Sequence, residues 1–114
     1  MADCIFCQII AGKVTGVKVF ENERVVALRD LHPQAPVHLL VIPRRHIATL
    51  NDLQPGDGEL VGEMMLVATQ LAAQENLAAR GYRLVLNCNR DGGQSVYHLH
   101  LHLLGGRSMG WPPG

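Results

Sequence analysis

A chain of 114 residues supports one domain with its own core and leaves no room for two. Hydrophobic residues at 47%, charged residues at 18%, and ten Lys and Arg balancing ten Asp and Glu describe an ordinary globular domain and exclude a disordered one. A net charge of zero argues against a protein that grips nucleic acid by neutralising many phosphates, so no nucleic-acid partner is expected.

The N-terminus, Met1-Ala2-Asp3-Cys4-Ile5-Phe6-Cys7, carries no basic leader followed by an apolar run. No later stretch reaches the roughly 18 apolar residues that span a bilayer, so a cytoplasmic protein without a membrane partner is expected. The three cysteines are an odd number without disulfide-framework spacing, which fits a reducing compartment. Asp3 reads as the N-cap of a short helix over Cys4 to Ile10, with Gly12 as its stop, and this places Cys4 and Cys7 on one face. Val17 to Phe20 and Val25 to Leu28 flank the polar Glu21-Asn22-Glu23-Arg24 and predict a β-hairpin. Leu31 to Pro36 holds two prolines, which lack the N–H a central strand needs, and is a connection.

Val37 to Ile42 then reads as an apolar strand broken by His38 and stopped by Pro43. From about Asp57 to about Asn76, Leu60, Met64, Val67, Ala68, Leu71 and Ala72 recur at helical spacing and predict an amphipathic helix, with Gly81 just beyond. Arg83 to Asn87 is strand-like, Asn89 to Gly93 is a turn, and Ser95 to Leu104 is a final strand followed by the tail Gly105 to Gly114. Short hairpin connections with segregated helices imply an α+β architecture, an antiparallel sheet with helices packed on it.

Strict alternation in His98-Leu99-His100-Leu101-His102-Leu103 puts three histidines on one face of a strand and the leucines on the other. Residues two apart on a strand lie roughly 6–7 Å from each other, so one imidazole has two others within reach. A neutral histidine, ordinary pKa about 6.5, is a competent nucleophile or base at neutral pH. Three polar residues on a sheet face, or a three-histidine metal site, would show the same pattern. The metal site needs nitrogens converging to about 2.1 Å from an ion, which one straight strand hardly offers. Upstream, Asp91-Gly92-Gly93-Gln94-Ser95 offers glycines that let backbone N–H groups approach an anion and a hydroxyl donor, although a tight turn needs the same glycines.

This pattern resembles the motif of the histidine triad superfamily. Asp30-Leu31, Pro33-Gln34-Ala35-Pro36, His38, Val41-Ile42-Pro43, Asn87, the run Asp91 to His102, Gly105-Gly106-Arg107 and Trp111-Pro112-Pro113-Gly114 resemble its Hint branch over most of the chain. The resemblance implies a single domain over residues 1–114, a five-stranded antiparallel sheet with two helices per subunit, and a homodimer in which the tail, residues 105–114, reaches toward the partner. It further implies a purine nucleotide-binding hydrolase that cleaves the P–N bond of nucleoside 5′-phosphoramidates through a nucleotidyl-histidine, with AMP or GMP derivatives as substrates. By that resemblance His100 is the nucleophile and His102 binds the phosphate, with His98 and His38 completing the catalytic histidines. Asp30 accepts from the ribose hydroxyls, and Phe6, Ile9, Leu28 and Leu31 wall the base. Asn87, Gly93, Gln94 and Ser95 contact phosphate and leaving group, and Trp111 shapes leaving-group specificity in trans. The amine's proton comes from Ser95 or from a neighbouring histidine.

No cofactor is required for this chemistry. Some bacterial members bind a structural zinc through an N-terminal Cys-x-x-Cys and two histidines, which here are Cys4, Cys7, His46 and His98. Without zinc, Cys4 and Cys7 are small apolar residues on a core helix. Two other readings remain: a nucleotide-sensing or scaffolding protein with incidental turnover, and a dinucleoside polyphosphate hydrolase. That sister branch has a glutamine two residues past the last triad histidine, where this chain has Leu104.

Overall fold

The computed structural model describes residues 3–114; the expectation about the first two residues falls outside them. In chain order they form α1 (Ile5–Ile10), β1 (Lys18–Glu21), β2 (Val25–Arg29), β3 (Val37–Pro43), α2 (Gly58–Gln74), β4 (Tyr82–Val85), α3 (Asn89–Gly92) and β5 (Leu101–Gly105). Single 3₁₀ turns at Leu50–Asp52 and Pro55–Asp57 lead into α2. The strands make one five-stranded antiparallel sheet in the order β1-β2-β3-β5-β4.

β3 is central, which accounts for a sequence that is apolar except at His38. Leu39 and Val41 point toward α2 and join Leu60, Met64, Val67 and Leu71, the stripe anticipated on that helix. Leu40 and Ile42 point the other way and join Phe6, Ile9, Val26 and Leu28 beneath α1. A strand covered on both faces cannot alternate apolar with polar. The triad leucines Leu99, Leu101 and Leu103 fall in the α2 cluster, so the histidines face the α1 side, as alternation requires.

Three local expectations are corrected. Cys4, not Asp3, caps α1: its sulfur accepts from the Cys7 N–H at 3.5 Å. Asn89–Gly92 make one helical turn instead of a reverse turn, ended by Gly93 at φ +79°. Most consequentially, β5 begins at Leu101, not Ser95, so His98 and His100 precede the strand. The last β3–β5 pair is Val41 with Leu101, and Pro43 at the end of β3 has no N–H to extend the ladder. Beyond it the chain is held by Leu99 donating to the Ile47 carbonyl at 2.6 Å. No helix among the described residues is long and apolar enough to cross a membrane.

Candidate active site and metal cluster

Cross-strand register sets Leu28, Leu40 and His102 side by side on β2, β3 and β5, and places His38 opposite Leu104. A cavity of about 300 Å³ opens over this row. Phe6, Ile9, Leu28, Leu40 and Val96 supply its apolar walls, and Asp30, Ser95, His100 and His102 its polar groups. Leu31 stands at the mouth, 73% exposed. Most of the nucleotide-contact residues anticipated from sequence therefore converge. Leu40 and Val96 were not anticipated; Leu40 was accessible from strand alternation, since it shares a face with His38.

Hydrogen bonds fix the proton of each histidine in this region, because a carbonyl can only accept and an amide N–H can only donate. His100 Nδ1 lies 2.8 Å from the His98 carbonyl, so it carries the proton and leaves the Nε2 lone pair free. His38 Nδ1 accepts from the Gln34 N–H at 3.0 Å, so neutral His38 is protonated on Nε2. That N–H faces His102 Nδ1 at 2.9 Å, with Asp30 Oδ2 at 3.4 Å as a second acceptor. His102 must then carry its own proton on Nε2. The site thus presents one imidazole lone pair, on His100, beside one imidazole donor, on His102, with ring centroids 4.9 Å apart. Burial, then the nearby His100 and His38, holds His102 down at about 4 against the pull of Asp30. Burial likewise lowers His38, with Asp30 opposing and His100 adding to the shift. Both are neutral at neutral pH, as these hydrogen bonds require.

His98 is turned out of this pair. It is fully buried, donates Nε2–H to the Pro43 carbonyl at 2.7 Å, and directs Nδ1 at Cys4 Sγ and Cys7 Sγ, each 3.5 Å away. His46 Nδ1 completes the group, 3.3 Å from Cys7 Sγ and 3.2 Å from His98 Nδ1. Tetrahedral zinc with bonds of about 2.3 Å to sulfur and about 2.0–2.1 Å to nitrogen places ligand atoms roughly 3.3–3.8 Å apart, so the four residues fit that ion. The Pro43 carbonyl supplies the outer partner that orients a ligating imidazole. Burial, reinforced by the hydrogen bond and charge of adjacent Cys4, raises the Cys7 thiol above its ordinary value. Helical spacing separates the two roles of α1: Cys4 and Cys7 face this cluster, whereas Phe6 and Ile9 face the cavity. Phe6 meets both His98 and His100 edge-on, at 5.8 and 5.3 Å between centroids.

Four anticipated nucleotide-contact residues do not line the cavity, and neither does the anticipated catalytic His38, which instead bonds to the lining His102 and faces Asp30. The N–H groups of Gly93 and Gln94 close α3 by donating to Arg90 and Asn89, the turn role of these residues. Gln94 is buried; its Nε2 donates to the carbonyls of Ala48 and Val96, and its Oε1 accepts from Asn89. Asn87 lies under the same turn, its backbone close to Gly92. Trp111 is 84% exposed on a tail that Arg83 holds through the Gly110 carbonyl at 2.8 Å. From this stretch Ser95 alone brings a side-chain hydroxyl to the cavity, and nothing in the local sequence separated it from its neighbours.

Comparison with known proteins agrees with this geometry. The family described as scavenger mRNA decapping enzyme C-term binding matches residues 3–111. Over 108 residues, 95% of this chain and 91% of the other, the sequence is 46% identical to a protein of Escherichia coli named purine nucleoside phosphoramidase. The crystal structure of a HIT family hydrolase from Legionella pneumophila superposes with a TM-score of 0.96 at 54% identity, covering 98% of this chain and 100% of that one. A zinc-bound histidine triad family protein from Mycobacterium smegmatis superposes with a TM-score of 0.83 at 30% identity, covering 99% and 81%. The sheet, the paired His100 and His102, and these likenesses together make the chain a member of the histidine triad family, a nucleotide hydrolase by kinship.

Proposed function

We propose that this protein cleaves the P–N bond of purine nucleoside 5′-phosphoramidates through a covalent nucleotidyl-histidine. The observation that carries the reading is the His100 tautomer: Nδ1–H is given to the His98 carbonyl, so the free lone pair on Nε2 belongs to the cavity wall. That lone pair forms a bond to phosphorus as the P–N bond breaks. The departing amine takes a proton from Ser95 or from a neighbouring histidine. Water then attacks phosphorus, the bond to His100 Nε2 breaks, and the proton water loses returns to the group that protonated the amine, releasing the nucleoside monophosphate and restoring neutral His100. His102 Nε2–H donates to a non-bridging oxygen, where negative charge grows as the phosphoryl group transfers.

Phe6, Ile9, Leu28, Leu31 and Leu40 form an apolar slot for a purine, with Asp30 at its edge for the ribose hydroxyls. Oδ1 of Asp30 accepts the His32 N–H at 2.8 Å, which fixes the carboxylate's orientation. The E. coli relative's name supports the substrate class. Leu104, apolar and directly opposite His38, favours this reading over dinucleoside polyphosphate cleavage. Cys4, Cys7, His46 and His98 would hold a structural zinc, with four protein ligands and no open position for chemistry. The unpaired edge of β4 and the exposed Met65 and Leu66 of α2 support a homodimer, in which Trp111 would reach the partner's cavity. Three cysteines outside any disulfide fit a cytoplasmic setting.

The test is steady-state hydrolysis of a fluorogenic adenosine phosphoramidate by the wild type and by His100→Gly. Turnover in the wild type that falls by orders of magnitude in the variant is expected. Nucleotide binding without wild-type turnover would replace the enzyme with a sensing protein.

A further inference from the structure

Arg107 lines neither the cavity nor the Cys/His cluster, yet each of its three guanidinium nitrogens donates a hydrogen bond. Nε and Nη2 both donate to one acceptor, the Gln34 carbonyl, at 3.1 and 3.0 Å, while Nη1 donates to the Ser108 carbonyl at 3.0 Å. Gln34 is the residue whose N–H meets His38 Nδ1. Its side chain donates to the His32 carbonyl at 3.0 Å, and the His32 N–H in turn meets Asp30. Residues 30–38 therefore form a strap whose internal bonds run from the Asp30 carboxylate to the His38 ring.

Two prolines, Pro33 and Pro36, lack the N–H groups that would tie this strap into a ladder. The segment after β5 holds it from outside. Gly106, at φ +91°, sits so close that a Cβ there would come within 2.9 Å of Pro36, and Arg107 follows with its fork on Gln34. We propose that Arg107 is a positioning residue: by holding the Gln34 carbonyl it keeps the Gln34 N–H on His38 Nδ1 and so fixes which nitrogens of His38 and His102 carry protons.

The consequence follows from donor and acceptor counting. If the Gln34 N–H leaves, His38 Nδ1 is free to take the ring proton, and His38 Nε2 becomes an acceptor. His102 then donates from Nδ1 and turns a lone pair, not an N–H, toward the phosphoryl oxygens. A lysine at 107 offers a point charge instead of a two-donor fork and would orient the carbonyl less firmly.

The test compares the uniformly ¹⁵N-labelled wild type with Arg107→Ala, Arg107→Lys and Arg80→Ala by long-range ¹H–¹⁵N correlation of the imidazoles at mildly basic pH. Arg80 lines the same surface cavity as Arg107 and makes no hydrogen bond or ion pair among the described residues, so it controls for local charge. Wild type and Arg80→Ala are expected to show His38 and His102 both protonated on Nε2. Arg107→Ala should show His38 shifted toward the Nδ1–H form, with Arg107→Lys between. In the phosphoramidate assay, which rests on the function proposed above, Arg107→Ala should lose at least about tenfold in kcat, the scale of a misplaced catalytic group, with KM little changed and partial rescue by lysine.

Wild-type tautomers in folded Arg107→Ala would overturn the proposal, as would an equal change in Arg80→Ala. Should the alanine variant fail to fold, Arg107→Lys decides by the same spectra. A wild type without phosphoramidase activity would remove the function and the kinetic comparison, and the tautomers would still decide the role of Arg107.

Discussion

His102 lies among groups that mostly oppose its protonation. Burial and the neighbouring His100 and His38 hold it at about 4 in the folded chain, against about 6.5 when unfolded. The native state therefore binds fewer protons than the unfolded state between these values. The stability that neutral His102 contributes is complete above about pH 6.5 and is lost as the pH falls through about 4. Lowered His38 acts in the same sense. Urea unfolding is expected to show a midpoint that drops between about pH 7 and about pH 4.5, less steeply in His102→Asn than in the wild type. Equal slopes would mean that His102 is not held neutral. At this scale the sequence disclosed residue identity, since alternation marked the three histidines as one set. It did not disclose that His98 leaves the set, because that depends on where the β3–β5 ladder ends and on the Pro43 carbonyl that receives its N–H.

α1 is only six residues, too short to be stable on its own in water. Phe6 and Ile9 bury one side of it against the sheet, and the Cys4, Cys7, His46, His98 cluster pins the other side to the segments following β3 and preceding β5. A metal there would cross-link three stretches far apart in sequence. Purified protein is expected to contain one zinc per chain, and a strong chelator should lower its melting temperature, as should Cys7→Ser, which should also lose the metal. A melting temperature indifferent to chelation would reduce the cysteines to core packing. The amphipathic period of α2 was legible residue by residue because one face of a helix meets a single core. The ends of β5 and α3 were not, since an apolar, β-prone run is cut short by a missing partner strand and by the side chain of Gln94 binding backbone. Gly105 shows the same limit: a Cβ there would lie 2.5 Å from Leu77, a closeness only the packed structure creates.

For the whole molecule, the sheet ends at β4 on one side with an open ladder edge, and Met65 and Leu66 project from α2 at 41% and 65% exposure. An unpaired strand edge and apolar side chains left exposed are features through which chains associate, and they support the homodimer proposed above. Leu66→Glu is therefore expected to shift sedimentation from two chains to one, and, if Trp111 acts in trans, to blunt discrimination between leaving amines more than it slows the best substrate. A variant that remains dimeric would exclude α2 from the interface.

The sequence by itself determined the α+β class, the helical stripe of α2, the apolar run of β3 and the residue types of both sites, because these follow from periodicity and side-chain chemistry along the chain. Only the tertiary structure decided how five of the six histidines are grouped. His100 and His102 meet at the wall of one cavity, His98 and His46 join two cysteines, and His38 takes its tautomer from Gln34. Those assignments rest on which carbonyl or amide stands opposite each ring nitrogen, and such partners come from strands and loops remote in sequence.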